Sequence, residues 1–244
     1  RKTMKLVHVE NYDEMSMQAA RTVFDKITAS ERVVLGLATG STPEKMYDYL
    51  VDMLNKNKVD LSHVYTVNLD EYVGLDADHP QSYHQYMNRI FFDRIDIPEN
   101  HTFLPNGAAE DLDAEVAEYE QLIAELGGVD LQILGIGRNG HIAFNEPGTA
   151  FDSETHVVDL TETTVNDNAR FFDTVDEVPK QAISMGLSTI MNAKSIIMMA
   201  SGEEKADAIT VMMEGEVDES LPASILQRHH DVTVIADRKA LREG

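Results

Sequence analysis

The chain has 244 residues, 43% of them hydrophobic and 7% aromatic, a composition that provides for a sizeable core. Its formal net charge of −23 opposes nucleic acid and anionic membrane surfaces, which are held by basic patches, but leaves room for a small anion met by local cations within a Debye length of roughly 8 Å. No apolar run is long enough to cross a bilayer, no apolar stretch of a secretory signal follows the basic start, and there is no cysteine for a disulfide framework, so a cytoplasmic protein is expected.

Met4 is read as the natural start, with Arg1 to Thr3 additional to it. From there "MKLVHV" predicts a strand and "NYDEMSMQAARTVFDKI" an amphipathic helix capped by Asn11. "RVVLGLA" is a short, nearly all-apolar run of the kind buried on both faces of a sheet. "PEKMYDYLVDMLNK" predicts a helix with Thr42 as cap and Pro43 at its first position. "VYTVNL" is a strand, and "QSYHQYMNRIFFDRI" and "DLDAEVAEYEQLIAELG" are helices. "VDLQILGIG" and "SIIMMA" are strands, "EEKADAITVMMEG" a helix, and "VTVIAD" a last strand. The stretch 151–179 has weaker periodicity and reads as an insert or lid.

Strands alternating with helices of ten to fifteen residues predict crossover units, a mainly parallel sheet and one α/β domain over residues 1–244. Such sheets bind ligands beyond the carboxyl ends of their strands. Those ends carry Thr39-Gly40-Ser41-Thr42, Asp70-Glu71-Tyr72, Gly137-Arg138-Asn139-Gly140-His141 and Ser201-Gly202.

"LATGSTPEK" is a strand, a glycine turn and a helix start, an arrangement that cradles phosphate with backbone N–H groups or else serves as an ordinary tight turn. In "NLDEYVGL" a half-desolvated carboxylate at a strand end suits general base work, and one of the two acids is a candidate helix cap. "GIGRNGHIAFNEPG" places His141, the side chain that titrates near neutrality, where Glu146 can hold its tautomer and support its charged form and Asn139 can orient it from the other side. Arg170 and Lys205 are lone cations in acidic surroundings, either solvated charges or a phosphate clamp. "RHHD", Arg228 to Asp231, reads as a surface loop whose adjacent histidines point apart. No metal-ligand spacing is present in the sequence.

Taken together, "LGLATGSTP", "NLDEYVGL", "HPQSYHQYM", "LGIGRNGHIAFNEPGT", "ARFF", "VPKQAISMG" and "SGEEKA", in that order, resemble the glucosamine-6-phosphate deaminase family from about Met4 to Asp237. The resemblance implies a modified Rossmann-like three-layer sandwich. It implies conversion of glucosamine 6-phosphate and water to fructose 6-phosphate and ammonia, with no metal and no cofactor. Carried over by position, Asp70 is the base for enolisation. His141 is the acid/base of ring opening, in a triad with Glu146 and Asn139. The amides of Thr39, Gly40, Ser41 and Thr42, with Arg170 and Lys205, form the phosphate site. The partner implied is a small amino-sugar phosphate, with no nucleic acid and no membrane; the active unit is a monomer or a homo-oligomer. Many longer relatives have Asp where this chain has Asn139, so Asn139 is expected to orient without adding charge. The likeness is to shorter members, which implies no activation by N-acetylglucosamine 6-phosphate. The 6-phosphogluconolactonases resemble the chain in the GSTP turn and a Gly-His loop, but usually carry Arg where this chain has Tyr72.

Overall fold

The computed structural model describes residues 4–243, so Arg1 to Thr3, ahead of the start read at Met4, and Gly244 lie outside the described residues. In chain order the elements are β1 (Lys5–Val9), α1 (Tyr12–Ala29), β2 (Val33–Leu37), α2 (Glu44–Lys56), β3 (Val64–Asn68), β4 (Asp70–Tyr72), α3 (Tyr83–Ile90), β5 (Thr102–Phe103), α4 (Leu112–Glu125), β6 (Leu131–Leu134), β7 (His156–Asp159), α5 (Glu162–Asn168), β8 (Gln181–Ser184), α6 (Leu187–Met191), β9 (Ser195–Ala200), α7 (Ala206–Glu214) and β10 (Val232–Asp237).

Seven strands form one sheet in the order β1-β10-β9-β6-β2-β3-β5, and every pairing within it is parallel. Alternate residues of its strands feed two separate cores. Leu35, Leu37, Val64, Leu131 and Ile133 meet α1, α2 and α3 on one face. Val34, Val67, Leu134 and Met198 meet α4, α6 and α7 on the other. The internal strand β2 is buried at all five positions, which is why it lacks a polar alternate. The result is the expected three-layer α/β sandwich with a parallel central sheet.

From β2 the chain moves outward through β3 to β5, then returns to the other side of β2 with β6. The direction of winding therefore reverses between β2 and β6. Loops leaving the two strands diverge there and open a crevice at their carboxyl ends.

Beside this edge lies a second, antiparallel sheet in the order β4-β8-β7. It joins the main sheet through Leu69, whose N–H donates to the Leu37 carbonyl at 3.0 Å and whose carbonyl accepts from Met185 N at 2.8 Å. One residue past β3 the chain thus leaves the parallel sheet and starts the small one at Asp70.

Several sequence expectations change. The helix expected over 81–95 ends at Ile90; Phe91 breaks it at φ −135° and Phe92–Arg94 continue as a 3₁₀ turn. Phe91 and Phe92 are both buried, and consecutive residues of a continued helix project about 100° apart, so the break lets both enter the core. Ser82 caps the shortened helix, its Oγ accepting from Gln85 N. Asn11 caps α1 as expected, accepting from Glu14 N at 2.9 Å. Thr42 makes no capping bond to α2. Pro43 is already in helical conformation and its carbonyl accepts from Tyr47 N, so Pro43 holds the cap position. The helix expected from Glu203 begins as a 3₁₀ turn, and α7 starts at Ala206. The stretch 151–179 contains β7, paired along its length with β8, followed by α5 and two 3₁₀ turns. His229 is no surface residue: it is 3% exposed, its Nε2 meets the Ala193 carbonyl at 2.6 Å, and its ring stacks on His230.

Candidate active site

The crevice between β2 and β6 holds a cavity of about 410 Å³. The loops after both strands, the first residue of β4, α3 and the 3₁₀ turn before α7 contribute its walls. Of the ten residues singled out in the sequence, Thr39, Gly40, Ser41, Thr42, Asp70, His141 and Lys205 line it.

The loop after β2 turns at Gly40, whose φ of +98° lies in the region that favours glycine. Two tyrosine hydroxyls fix its carbonyls: Tyr86 donates to Gly40 O and Tyr12 to Ser41 O, each at 2.6 Å. Among the described residues no protein acceptor takes the amides of Thr39, Gly40, Ser41 or Thr42. Free N–H groups on a fixed turn beside a helix start form an anion cradle. Lys205 reaches in from the far side, donating to the Ile136 carbonyl at 2.7 Å. Burial lowers its pKa from the ordinary lysine value; Glu204 opposes that shift and Arg138 adds to it.

Arg138 also lines this cavity. It was not singled out in the sequence, although it stands between two residues of the histidine loop. Arg170, which was, lies elsewhere: it is exposed on the 3₁₀ turn after α5, with its guanidinium 4.6 Å from the Phe171 ring. Its charge stacks on a neighbouring ring at the surface, outside the cavity lining.

The histidine loop closes on itself, with Gly140 N donating to Gly137 O at 3.0 Å and Gly137 N to His141 O at 2.9 Å. The imidazole packs directly on Gly137, where a Cβ would stand 2.0 Å from its Cε1. Gly137→Ala is therefore expected to displace the ring and lower kcat roughly 10²-fold, the cost of about 1 Å of misplacement. Steady-state kinetics check this, and a kcat within a few-fold of the parent would contradict it.

Asn139 stands between His141 and Glu146. Its Oδ1 accepts from His141 N at 3.1 Å and meets His141 Nδ1 at 2.8 Å, while its Nδ2 donates to Glu146 Oε1 at 2.8 Å. A backbone N–H on one side and a carboxylate on the other allow the amide only this orientation. Nδ1 must then carry the proton, which leaves Nε2 as the acceptor. Glu146 lies 3.7 Å from Nδ1, too far for a direct bond, so it acts through Asn139. Asn139 is thus the link of the array on the Nδ1 side, where the sequence suggested an opposite-side support. Burial lowers the His141 pKa, outweighing Glu146, which raises it, and Lys205 lowers it further. The neutral imidazole is therefore the resting form. Asn145 seats the loop in the protein, donating to Ile142 O and Met185 O and meeting His156 Nε2 at 2.9 Å.

Asp70 is 7% exposed, and burial first, then the charge of Glu71, pushes its carboxyl up to about 8. The two acids alternate on β4 and divide the work. Glu71, 1% exposed, accepts from the backbone N–H groups of Tyr72, Tyr83 and His84, and its Oε2 meets His84 Nδ1 at 2.6 Å. It pins the start of α3, as one reading of the acid pair anticipated. α3 in turn carries Tyr83, which lines the cavity and was not singled out. The chemistry available is an anion cradle with two cations, a neutral histidine with a free Nε2, and a carboxyl held near neutrality. Among the described residues no group of three or more His, Asp or Glu side chains has a metal-binding arrangement.

The model of the glucosamine-6-phosphate isomerase/6-phosphogluconolactonase family matches residues 10–235. The chain is 52% identical over 240 residues to glucosamine-6-phosphate deaminase of Halalkalibacterium halodurans, covering 98% of each chain. It is 54% identical over 237 residues to the enzyme of that name from Shouchella clausii, covering 97% of this chain and 96% of the relative. A solved monomeric glucosamine-6-phosphate deaminase superposes with a TM-score of 0.93 at 50% identity, covering 98% of this chain and 99% of that one. The 6-phosphogluconolactonase of Trypanosoma cruzi, at 22% identity and a TM-score of 0.77, shares the fold.

Proposed function

The chain belongs to the glucosamine-6-phosphate isomerase/6-phosphogluconolactonase family, and we infer that within it this protein is the deaminase. It converts glucosamine 6-phosphate and water to fructose 6-phosphate and ammonia. Relatives bearing that name match along the whole chain at about half identity.

The observation that carries the reading at the site is the convergence of two bases on one cavity, His141 and the buried Asp70. Lactone hydrolysis removes no C–H proton and has no use for the second. In the reading proposed, the substrate phosphate sits in the Thr39–Thr42 amides, facing Lys205 and Arg138. His141 Nε2 takes the O1 proton of the pyranose and returns a proton to O5, opening the ring, while Asn139 and Glu146 fix its tautomer. Asp70 then removes the C2 proton and returns one to C1, leaving an imine at C2. Water adds there, and the C2–N bond breaks to release ammonia. The substrate ammonium at C2 favours ionised Asp70, so a carboxyl that is mostly neutral in the free protein becomes a base when the site is filled.

Residues from about 151 to 179 serve as a lid in this reading. Exposed Phe171 and Val175, at 49% and 68%, supply the apolar face that closure covers, and closure carries Arg170 to the phosphate. The active unit in this reading is a monomer, as in the solved monomeric deaminase that this chain matches at 50% identity.

Lys205→Ala is expected to raise KM roughly tenfold with a smaller change in kcat, because it removes a charge-assisted contact remote from the reacting carbons. An unchanged KM would take Lys205 out of the clamp. A substrate panel tests the function itself. Turnover is expected with glucosamine 6-phosphate, with galactosamine 6-phosphate slower and 6-phosphogluconolactone not hydrolysed above background. Lactone hydrolysis without deamination would overturn the assignment.

A further inference from the structure

A second cavity of about 110 Å³ lies behind the first, and Tyr83 is the wall they share. At roughly 30 Å³ per water-sized molecule it has room for a few small molecules. The second cavity is also lined by Tyr72, Gln81, Arg89 and Asn168.

Tyr72 stands two residues from Asp70 on β4, so both side chains leave the same face of the strand. The charge of Asp70 is felt at both phenols, Tyr72 and Tyr83. The phenol pair is therefore beside the base that works at C2, the carbon that bears the nitrogen. Two hydrogen bonds converge on the Tyr72 oxygen. The Tyr83 O–H donates to it at 3.2 Å. Asn168 Nδ2 donates to the same oxygen at 3.1 Å. The Tyr72 oxygen thus accepts twice, and its own phenolic proton has no acceptor among the described residues.

We propose that this second cavity receives the leaving ammonia, a reading that rests on the proposed deaminase activity. The spare Tyr72 O–H donates to the ammonia lone pair. Arg89 in the wall disfavours a cation, so the species held is neutral ammonia. No bond is made or broken in this cavity; the C2–N bond breaks in the first one. Removing ammonia past Tyr83 separates it from the ketose and slows recombination.

The synthetic direction, from fructose 6-phosphate and ammonium chloride, tests this because nitrogen enters there as a separate substrate. Tyr72→Phe is expected to raise KM for ammonium about five-fold, the loss of one neutral hydrogen bond, with KM for fructose 6-phosphate changed by less than about two-fold. Gln81→Leu, which alters the same cavity from the segment ahead of α3, outside the lid, is expected to give the same selective rise. For the parent protein, KM for total ammonium should fall as pH rises and the neutral fraction grows. An unchanged ammonium KM in both variants, an equal rise in both KM values, or a pH-independent ammonium KM would overturn the ammonia site. Failure of the parent protein to form amino-sugar phosphate at all would instead count against the deaminase reading.

Discussion

Asp70→Asn is expected to lower kcat for glucosamine 6-phosphate roughly 10³-fold while making the protein more stable at neutral and alkaline pH. The catalytic loss follows from removing the group assigned to move the C2 proton in the proposed reaction, while the phosphate cradle stays intact. Affinity for a phosphorylated, unreactive sugar alcohol should therefore survive. The stability gain follows from burial. The folded-state pKa is pushed up to about 8 from 3.8, so between those values the native chain holds a proton that the unfolded chain has lost. Stability contributed at Asp70 consequently falls as pH rises from about 4 to about 8 and stays low above. Asn has the shape without the ionisation and escapes a penalty on the order of a few kcal/mol at pH 8. Thermal unfolding should show a Tm gain of at least about 3 °C at pH 8 that disappears near pH 4. The same raised pKa predicts that kcat/KM of the parent protein climbs through pH 8, whereas kcat, measured with the ammonium-bearing substrate bound, climbs at lower pH. A variant with undiminished turnover, or one less stable at pH 8 than the parent, would contradict this account of Asp70.

His141→Gln is expected to cost roughly 10²–10⁴-fold in turnover of the cyclic sugar. An analogue that cannot close the pyranose ring needs no ring opening, so its turnover should change by only a few-fold. The comparison matters because Gln can keep a bond to Asn139 Oδ1 through its amide nitrogen but offers no titrating nitrogen in place of Nε2. Equal losses on both substrates would mean that His141 positions the ligand and that another group opens the ring.

Much of the fold is legible in the sequence because parallel strands buried on both faces read as unbroken apolar runs. "RVVLGLA", "SIIMMA" and "VTVIAD" are found in β2, β9 and β10 with boundaries within two residues. The Asn11 cap is local chemistry, a side chain bonded three residues on, and needs no tertiary information. The small sheet was missed because β4, β7 and β8 are three or four residues long, too short for a period, and β4 joins it only by pairing with β8 across more than a hundred residues of chain. The break at Phe91 was missed for a related reason: each aromatic suits a helix, and only the shape of the core requires both inside.

At the site, His141, Glu146 and Asp70 were legible because glycine-rich strand ends and paired acids are unusual for solvated surface. The route of the coupling was not. Spacing put Glu146 against the imidazole, whereas Asn139 occupies the bonding distance and Glu146 lies behind it. Arg138 and Arg170 carry the same charge in equally polar stretches, and only three-dimensional placement separates the one in the cavity from the one stacked on Phe171.

The central claim is most directly tested by incubating the protein with glucosamine 6-phosphate and a chelator and measuring ammonia and fructose 6-phosphate together. The account predicts both products in equal amounts, with the chelator without effect. Fructose 6-phosphate or ammonia without the other, or loss of both on chelation, would contradict it.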